Sequence, residues 1–206
     1  IKKAFYLVAV IVSYSVLSLA ANHYITSRVG EEIASIPGYN IHVGFNMESM
    51  GRWNKEDADL LFYYSGLEGL SANDAQKKMF EEAKNRLQSG EVEFPQLFYN
   101  KFLIFLSDDS AAVGYANPVL DHKFRYIIIS NVFYYFLIAA SLVSILVQIK
   151  NRNKSPVFFI CLYFIGLTLA QMLIEVAGRY HYSATLSMII LAAIGISNIS
   201  KVLSVK

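Results

Sequence analysis

Residues Leu173 to Ala184 read Leu-Ile-Glu-Val-Ala-Gly-Arg-Tyr-His-Tyr-Ser-Ala, which sets a carboxylate, a guanidinium, an imidazole and two phenols close together. An arginine can grip a phosphate through two parallel N–H bonds, so Arg179 makes this stretch a candidate anion site. Glu175 stands four residues before Arg179. It would either pair with that arginine and fix its direction, or act itself as a base or metal ligand. His181 could donate to a phosphate or act as an acid, and a surface histidine without chemistry fits the position equally. Tyr180 and Tyr182 offer rings to pack beside a lipid chain or a sugar. A second basic stretch, Asp121-His122-Lys123-Phe124-Arg125-Tyr126, adds Lys123 and Arg125. These would help to hold an anionic, membrane-borne ligand, or would simply be basic residues snorkelling at the end of a span. No pair of histidines or carboxylates has recognisable ligand spacing, so no metal site is expected. There is no glycine loop to cradle phosphate, no nucleophile elbow and no cysteine motif. The residues therefore identify neither a catalytic group nor a cofactor.

What must position these groups is set by composition. Of the 206 residues 55% are apolar, and they are clumped in runs, which argues against one soluble core. Phe and Tyr number 14 each, and many flank the apolar runs as interfacial aromatics do. The net charge of +2 is too small to imply a nucleic-acid partner. The single cysteine, Cys161, excludes an internal disulfide.

Four runs are candidates to cross the ~30 Å hydrocarbon layer of a bilayer: Ala4 to Ala21, Tyr126 to Ile149, Pro156 to Val176, and Ala184 to Ile199. The first could also be a signal peptide, with Ser18-Leu19-Ala20-Ala21 a weak cleavage site; a retained span is expected. Lys2 and Lys3, the Lys150-Asn151-Arg152-Asn153-Lys154 loop, and Lys201 with Lys206 all fall on one side. That side is cytoplasmic by the positive-inside rule. The expected fold is an all-α membrane protein with four transmembrane helices and a mainly helical extracytoplasmic domain between the first and second. Residues 1–21 form the first span, 22–125 the outer domain, and 126–206 the remaining spans with an outer hairpin at 175–183.

Within the outer domain, Pro37-Gly38 marks a turn, and His42 to Asn46 is expected as a short extended piece. Asn54 should cap a helix through Asp57, running to about Tyr64. Ser71 opens an amphipathic helix with Ala75, Met79, Ala83 and Leu87 on one face, and Gly90 stops it. Phe94 to Leu106 is almost wholly apolar but too short to span. Such a helix is either buried in the domain or lies along the membrane interface. Asn117-Pro118 then turns the chain towards the second span.

Gly178-Arg179-Tyr180-His181-Tyr182, after a glutamate at a span end, resembles the last outer hairpin of bacterial polyprenyl-phosphate-sugar glycosyltransferases. These are GT-C type membrane enzymes related to the protein O-mannosyltransferases and the aminoarabinose transferases. Val43 to Asp57, with its Gly44-Phe45-Asn46, Gly51-Arg52-Trp53-Asn54 and Glu56-Asp57 elements, is similar to the outer domain of Gram-positive members. So are Phe94-Pro95 through Lys101 and the later Asp108-Asp109. Ser183 departs from the pattern, since members often carry proline there. The resemblance implies a C-terminal portion of an enzyme in a bacterial cytoplasmic membrane. It would transfer a sugar from a polyprenyl phosphate carrier to a cell-envelope acceptor on the outer face, among membrane lipid. It also implies that the catalytic aspartate lies in a first outer loop with no counterpart in this chain. Arg179, with Lys123 and Arg125, would then bind the donor phosphate, and Glu175, Tyr180, His181 and Tyr182 would support it. A non-catalytic polytopic subunit, whose outer domain binds an envelope polymer or partner protein, is the rival reading.

Overall fold

The computed structural model describes residues 2–30, 36–116, 119, 121–151 and 157–204. Every regular element among them is helical. They are α1 (Lys2–Val29), α2 (Gly38–Gly44), α3 (Lys55–Phe62), α4 (Ala72–Gln88), α5 (Phe94–Leu106), α6 (Ser110–Ala116), α7 (Lys123–Asn151), α8 (Val157–Leu173) and α9 (Tyr182–Ser204). Two helical segments, Lys123–Lys150 and Gly178–Ile199, are long and apolar enough to cross a membrane. α8 is apolar but has 17 residues, about one turn short of the ~20 that a typical crossing needs. α1 extends to Val29, well beyond the expected boundary at Ala21. Its apolar residues from Ile11 to Leu19 are exposed wherever they are large, including Val12, Val16 and Leu17.

α7 and α9 form the main helix pair. Tyr134, Leu137 and Ala140 of α7 bury against Ala184, Met188 and Ala192 of α9. Small residues bring the backbones together, as is usual where helices meet in lipid. Ser141 Oγ donates to the carbonyl of Met188 at 2.9 Å. A Cβ on Gly195 would stand 2.0 Å from the carbonyl oxygen of Ala140. Gly195→Ala is therefore expected to drive the pair apart at a cost of about 3 kcal/mol, the upper part of the range for overpacking, because the obstacle is backbone. Thermal unfolding in detergent would reveal it as a lowered midpoint; an unchanged midpoint would contradict the packing.

The region expected as the outer domain is built on α2 to α6. Asn54 caps α3 by accepting from the backbone N–H of Asp57 at 2.9 Å, as its position predicts. α3 ends at Phe62, and a wide π turn, Tyr63–Leu67, completes the segment. Ser71 caps α4 through Asp74. Ala75, Met79 and Ala83 face inward, and Gly90, with φ +79°, follows the helix stop.

The expectation of an extended piece at His42 to Asn46 is overturned: residues 38–44 are α2, followed by a turn through Asn46. Its packing against α4 explains why. A Cβ on Gly38 would stand 1.8 Å from the carbonyl oxygen of Gln76, and the side chain of Gln76 accepts from Tyr39 N–H at 2.8 Å. Tertiary contact decides the conformation of so short a segment, whatever its propensity. The third apolar run also ends early, at Leu173, and the fourth helix begins early, at Tyr182. The hairpin between them is a short extended stretch and a 3₁₀ turn, Gly178–His181. The Asn117-Pro118 turn, the Pro156 helix start and most of the basic 150–154 loop lie outside the described residues.

Candidate functional site

The hairpin is fixed from below by one lysine. Lys101 of α5 is 0% exposed, and its Nζ donates to the carbonyls of Gly44 at 3.0 Å, Met172 at 2.8 Å and Ile174 at 2.6 Å. Three N–H bonds to three carbonyls match an ammonium. A positive charge also complements the C-terminal end of α8. Burial pulls the lysine pKa down to about 8, still above neutrality, so the charged form persists at pH 7.

Backbone bonds continue the attachment. Glu175 N–H donates to Asn40 O at 2.7 Å and Val176 N–H to Gly51 O at 2.8 Å. Gly44 lies so close beneath that a Cβ there would be 2.6 Å from the carbonyl carbon of Ile174. α8 stops at Leu173 because the groups that would continue it are bonded to the outer domain instead.

Above this base the side chains divide into two groups. Glu175 is buried, and its Oε1 accepts from the Tyr180 hydroxyl at 3.0 Å. The guanidinium of Arg179 lies 5.2 Å from the centroid of the same tyrosine ring, a cation–π distance. Arg179 is exposed. Tyr180 thus stands between the carboxylate and the guanidinium. Nearby Tyr39 has its phenol pKa pushed up to about 12, first by burial and then by the charge of Glu175.

The second group centres on His181, which is 1% exposed. Its Nε2 lies 3.1 Å from Asp109 Oδ1, while Nδ1 is buried without a hydrogen-bond partner among the described residues. The ring packs on Tyr134 at 4.8 Å and Tyr182 at 4.5 Å between centroids. Asp109 is also bonded by the Ser130 hydroxyl, and its N–H donates to Asn131 Oδ1 at 2.8 Å. The α5–α6 connection, α7 and the hairpin therefore meet at one buried histidine–carboxylate contact.

Lys123 and Arg125 lie in the first turn of α7, exposed. Since the hairpin meets α7 at residues 130–134, the 1.5 Å rise per residue puts these two cations about 8–16 Å further along the helix. The contacts of His181 reach Asp109 and Tyr134. Among the described residues no group of three or more His, Cys, Asp or Glu is placed to hold a metal ion.

Below the hairpin an apolar groove of about 390 Å³ runs between α7 and α8, floored by Met188 and Leu191 of α9 and roofed by Phe102 and Leu106 of α5. Ile138, one turn from Tyr134, marks its upper part on α7. Leu142, Ile165 and Leu169 line it yet are 52%, 46% and 62% exposed, so it opens sideways, where a bilayer would lie. Its walls are almost wholly apolar, with Ser141 and Thr168 the exceptions.

Lys101 was not among the residues whose types suggested a site, though a signal was present. Leu97, Lys101 and Phe105 recur every four residues, and that stripe is the buried face of α5. Asp109 stood in the sequence only as half of an acidic pair; nothing local ties it to a histidine 72 positions away. Comparison with protein-family models, with characterised sequences and with solved structures finds no match to this chain.

Proposed function

We propose that this chain belongs to a membrane glycosyltransferase that moves a sugar from a polyprenyl phosphate to a cell-envelope acceptor on the outer face of a bacterial membrane. Four spans are proposed with it, the apolar runs of α1 and α8 crossing beside α7 and α9 and the basic segments facing the cytoplasm. The reading rests on the resemblance of the 178–182 hairpin. The observation that supports it is the sideways-open apolar groove, whose lining residue Ile138 is one turn of α7 from Tyr134, the residue on which His181 packs.

A prenyl chain would enter the groove from the bilayer, and its phosphate would stop at the hairpin, where Arg179 is exposed. Transfer leaves negative charge on the departing phosphate. A guanidinium fixed against Tyr180 meets that charge as it develops, and so favours the transition state over the ground state. The catalytic base is assigned to none of these residues.

The test is transfer from a synthetic polyprenyl phosphate sugar by purified full-length protein in lipid, with folding checked separately. Losing a charge-assisted hydrogen bond costs ~1.5–3 kcal/mol, roughly 10- to 150-fold. Arg179→Ala should lower transfer by that factor, and Arg179→Lys should recover only part, because a point charge does not replace a planar fork. Arg52→Ala, on the exposed loop of the outer domain, should remain near the parental rate. A folded Arg179→Ala protein with parental transfer at all donor concentrations would remove the phosphate site.

A further inference from the structure

α5 has a second apolar face besides the inward one that buries Leu97 and Phe105. Its sequence, Phe-Pro-Gln-Leu-Phe-Tyr-Asn-Lys-Phe-Leu-Ile-Phe-Leu, holds one charge. That charge, on Lys101, is turned inward and fully buried. The outward stripe is Tyr99, Phe102 and Leu103, exposed by 64%, 47% and 39%. A helix at a water-facing surface normally does the opposite, burying its large apolar side chains and exposing its charges.

The neighbours of this stripe identify what covers it. Phe102 and Leu106 line the same groove as Ile138 on α7 and Thr168 and Leu169 on α8. Tyr134, whose hydroxyl donates to the carbonyl of Leu106, is eleven residues past Lys123 and so about 16 Å along α7, within the first half of the segment long enough to cross a bilayer. The exposed stripe of α5 therefore continues the exposed apolar surface of α7 and α8 at the same depth. On α8 that surface includes Ile165 and Leu169.

We infer that α5 is a membrane-embedded interfacial helix: its Tyr99–Phe102–Leu103 stripe lies among the acyl chains of the outer leaflet, while Lys101 anchors its other side to the end of α8. The inference rests on α7 and α9 being membrane spans, but not on any activity. In water the stripe would leave three large apolar side chains exposed beside a buried charge. In the outer leaflet both placements are favourable, because the apolar face is solvated by lipid and the ammonium is satisfied by carbonyls. The helix then also forms a fixed lintel over the groove, so a lipid chain entering sideways would pass beneath Phe102.

Trp53 is the single tryptophan and is exposed, so Trp53→Phe gives a silent background for placed tryptophans. Phe102→Trp and Leu103→Trp would be made separately, with Phe133→Trp on the exposed face of α7 as the span reference and Asn85→Trp on α4 as the aqueous reference. Each full-length variant is reconstituted in phosphatidylcholine vesicles with or without bromine on the acyl chains. Emission from both α5 variants should fall at least two-fold in brominated lipid, as for Phe133→Trp, while Asn85→Trp should not change. If Phe133→Trp is quenched and both α5 variants are not, α5 faces water or another protein and the inference is wrong. If Phe133→Trp is also unquenched, the span reading itself fails and the inference falls with it. Using two α5 positions guards against one bulky substitution displacing the helix.

Discussion

Lys101→Met is expected to unfasten the hairpin from the outer domain and to destabilise the folded protein by about 3 kcal/mol. Methionine fits the apolar length of the lysine stem, so the loss is that of the ammonium. The carbonyls of Gly44, Met172 and Ile174 would lose their shared donor. Hydrogen bonds to a charged group contribute roughly 1.5–3 kcal/mol each, and buried acceptors left alone are costly. Relief from holding a buried charge offsets part of the sum, which is why the net value is well below three full bonds.

The pH dependence has a definite sign. The lysine pKa is about 8 in the folded protein and about 10.4 in an unfolded chain. Between these values the unfolded chain binds more protons, so the contribution of this group to stability rises with pH across that window and is flat below it. The gap in thermal midpoint between parent and Lys101→Met should therefore widen from pH 8 to 10. A variant with the parental midpoint would contradict the anchor, and a gap that narrows over that range would contradict the lowered pKa.

The second large effect is expected at Asp57, the centre of the outer domain. Its side chain is 4% exposed. Oδ1 faces Arg86 Nη2 and His42 Nε2, each at 3.0 Å, the histidine out of line for a hydrogen bond. Oδ2 accepts from Asn54 at 2.6 Å and Asn46 at 3.0 Å. Arg86 also donates to the carbonyl of His42 at 2.6 Å. One carboxylate thus joins α2, the loop after it, α3 and α4. Burial alone would raise its pKa, but the contacts with His42, Arg86, Asn54 and Asn46 outweigh that and hold the carboxyl far below the ordinary range. Asp57→Asn would turn an amide N–H towards these donors and leave the guanidinium without its counter-charge. Breaking such a buried pair costs about 3–5 kcal/mol. The stability contributed by the aspartate is complete above its unfolded pKa of about 3.9 and is lost as pH falls below it. Limited proteolysis of the outer domain should be faster in Asp57→Asn at pH 7. As pH drops from 4 towards 2, parent and variant should converge. Equal digestion at pH 7 would show that the hub contributes little.

Much of the framework was legible because it depends on near neighbours. The apolar runs marked α7, α8 and α9, and the cap positions of Asn54 and Ser71 set the starts of α3 and α4. The site was less legible because its geometry is made between distant segments. Glu175, Arg179 and His181 were recognisable by type, but the partner of the buried His181 is Asp109, and Glu175 takes the hydroxyl of Tyr180. The helical state of His42 and Val43 follows from close contact with α4, which no local pattern encodes. Lys101 could have been read inward from its stripe, yet a lone lysine in an apolar helix ordinarily marks the wet side. Only the three carbonyls explain why it does not.

The Lys101 anchor also constrains the order in which the protein can be completed. Its last acceptor, Ile174, lies 73 residues further along the chain. At a synthesis rate of about 5–20 residues per second, the lysine waits roughly 4–15 s for that partner to be made. Throughout this interval α2 to α5 can fold around Asp57, whose partners all precede Ser89, but the underside that receives the end of α8 stays open. Closure of that underside is therefore coupled to the folding of a later helix, and the domain of α2 to α6 acquires its final shape only when α8 arrives.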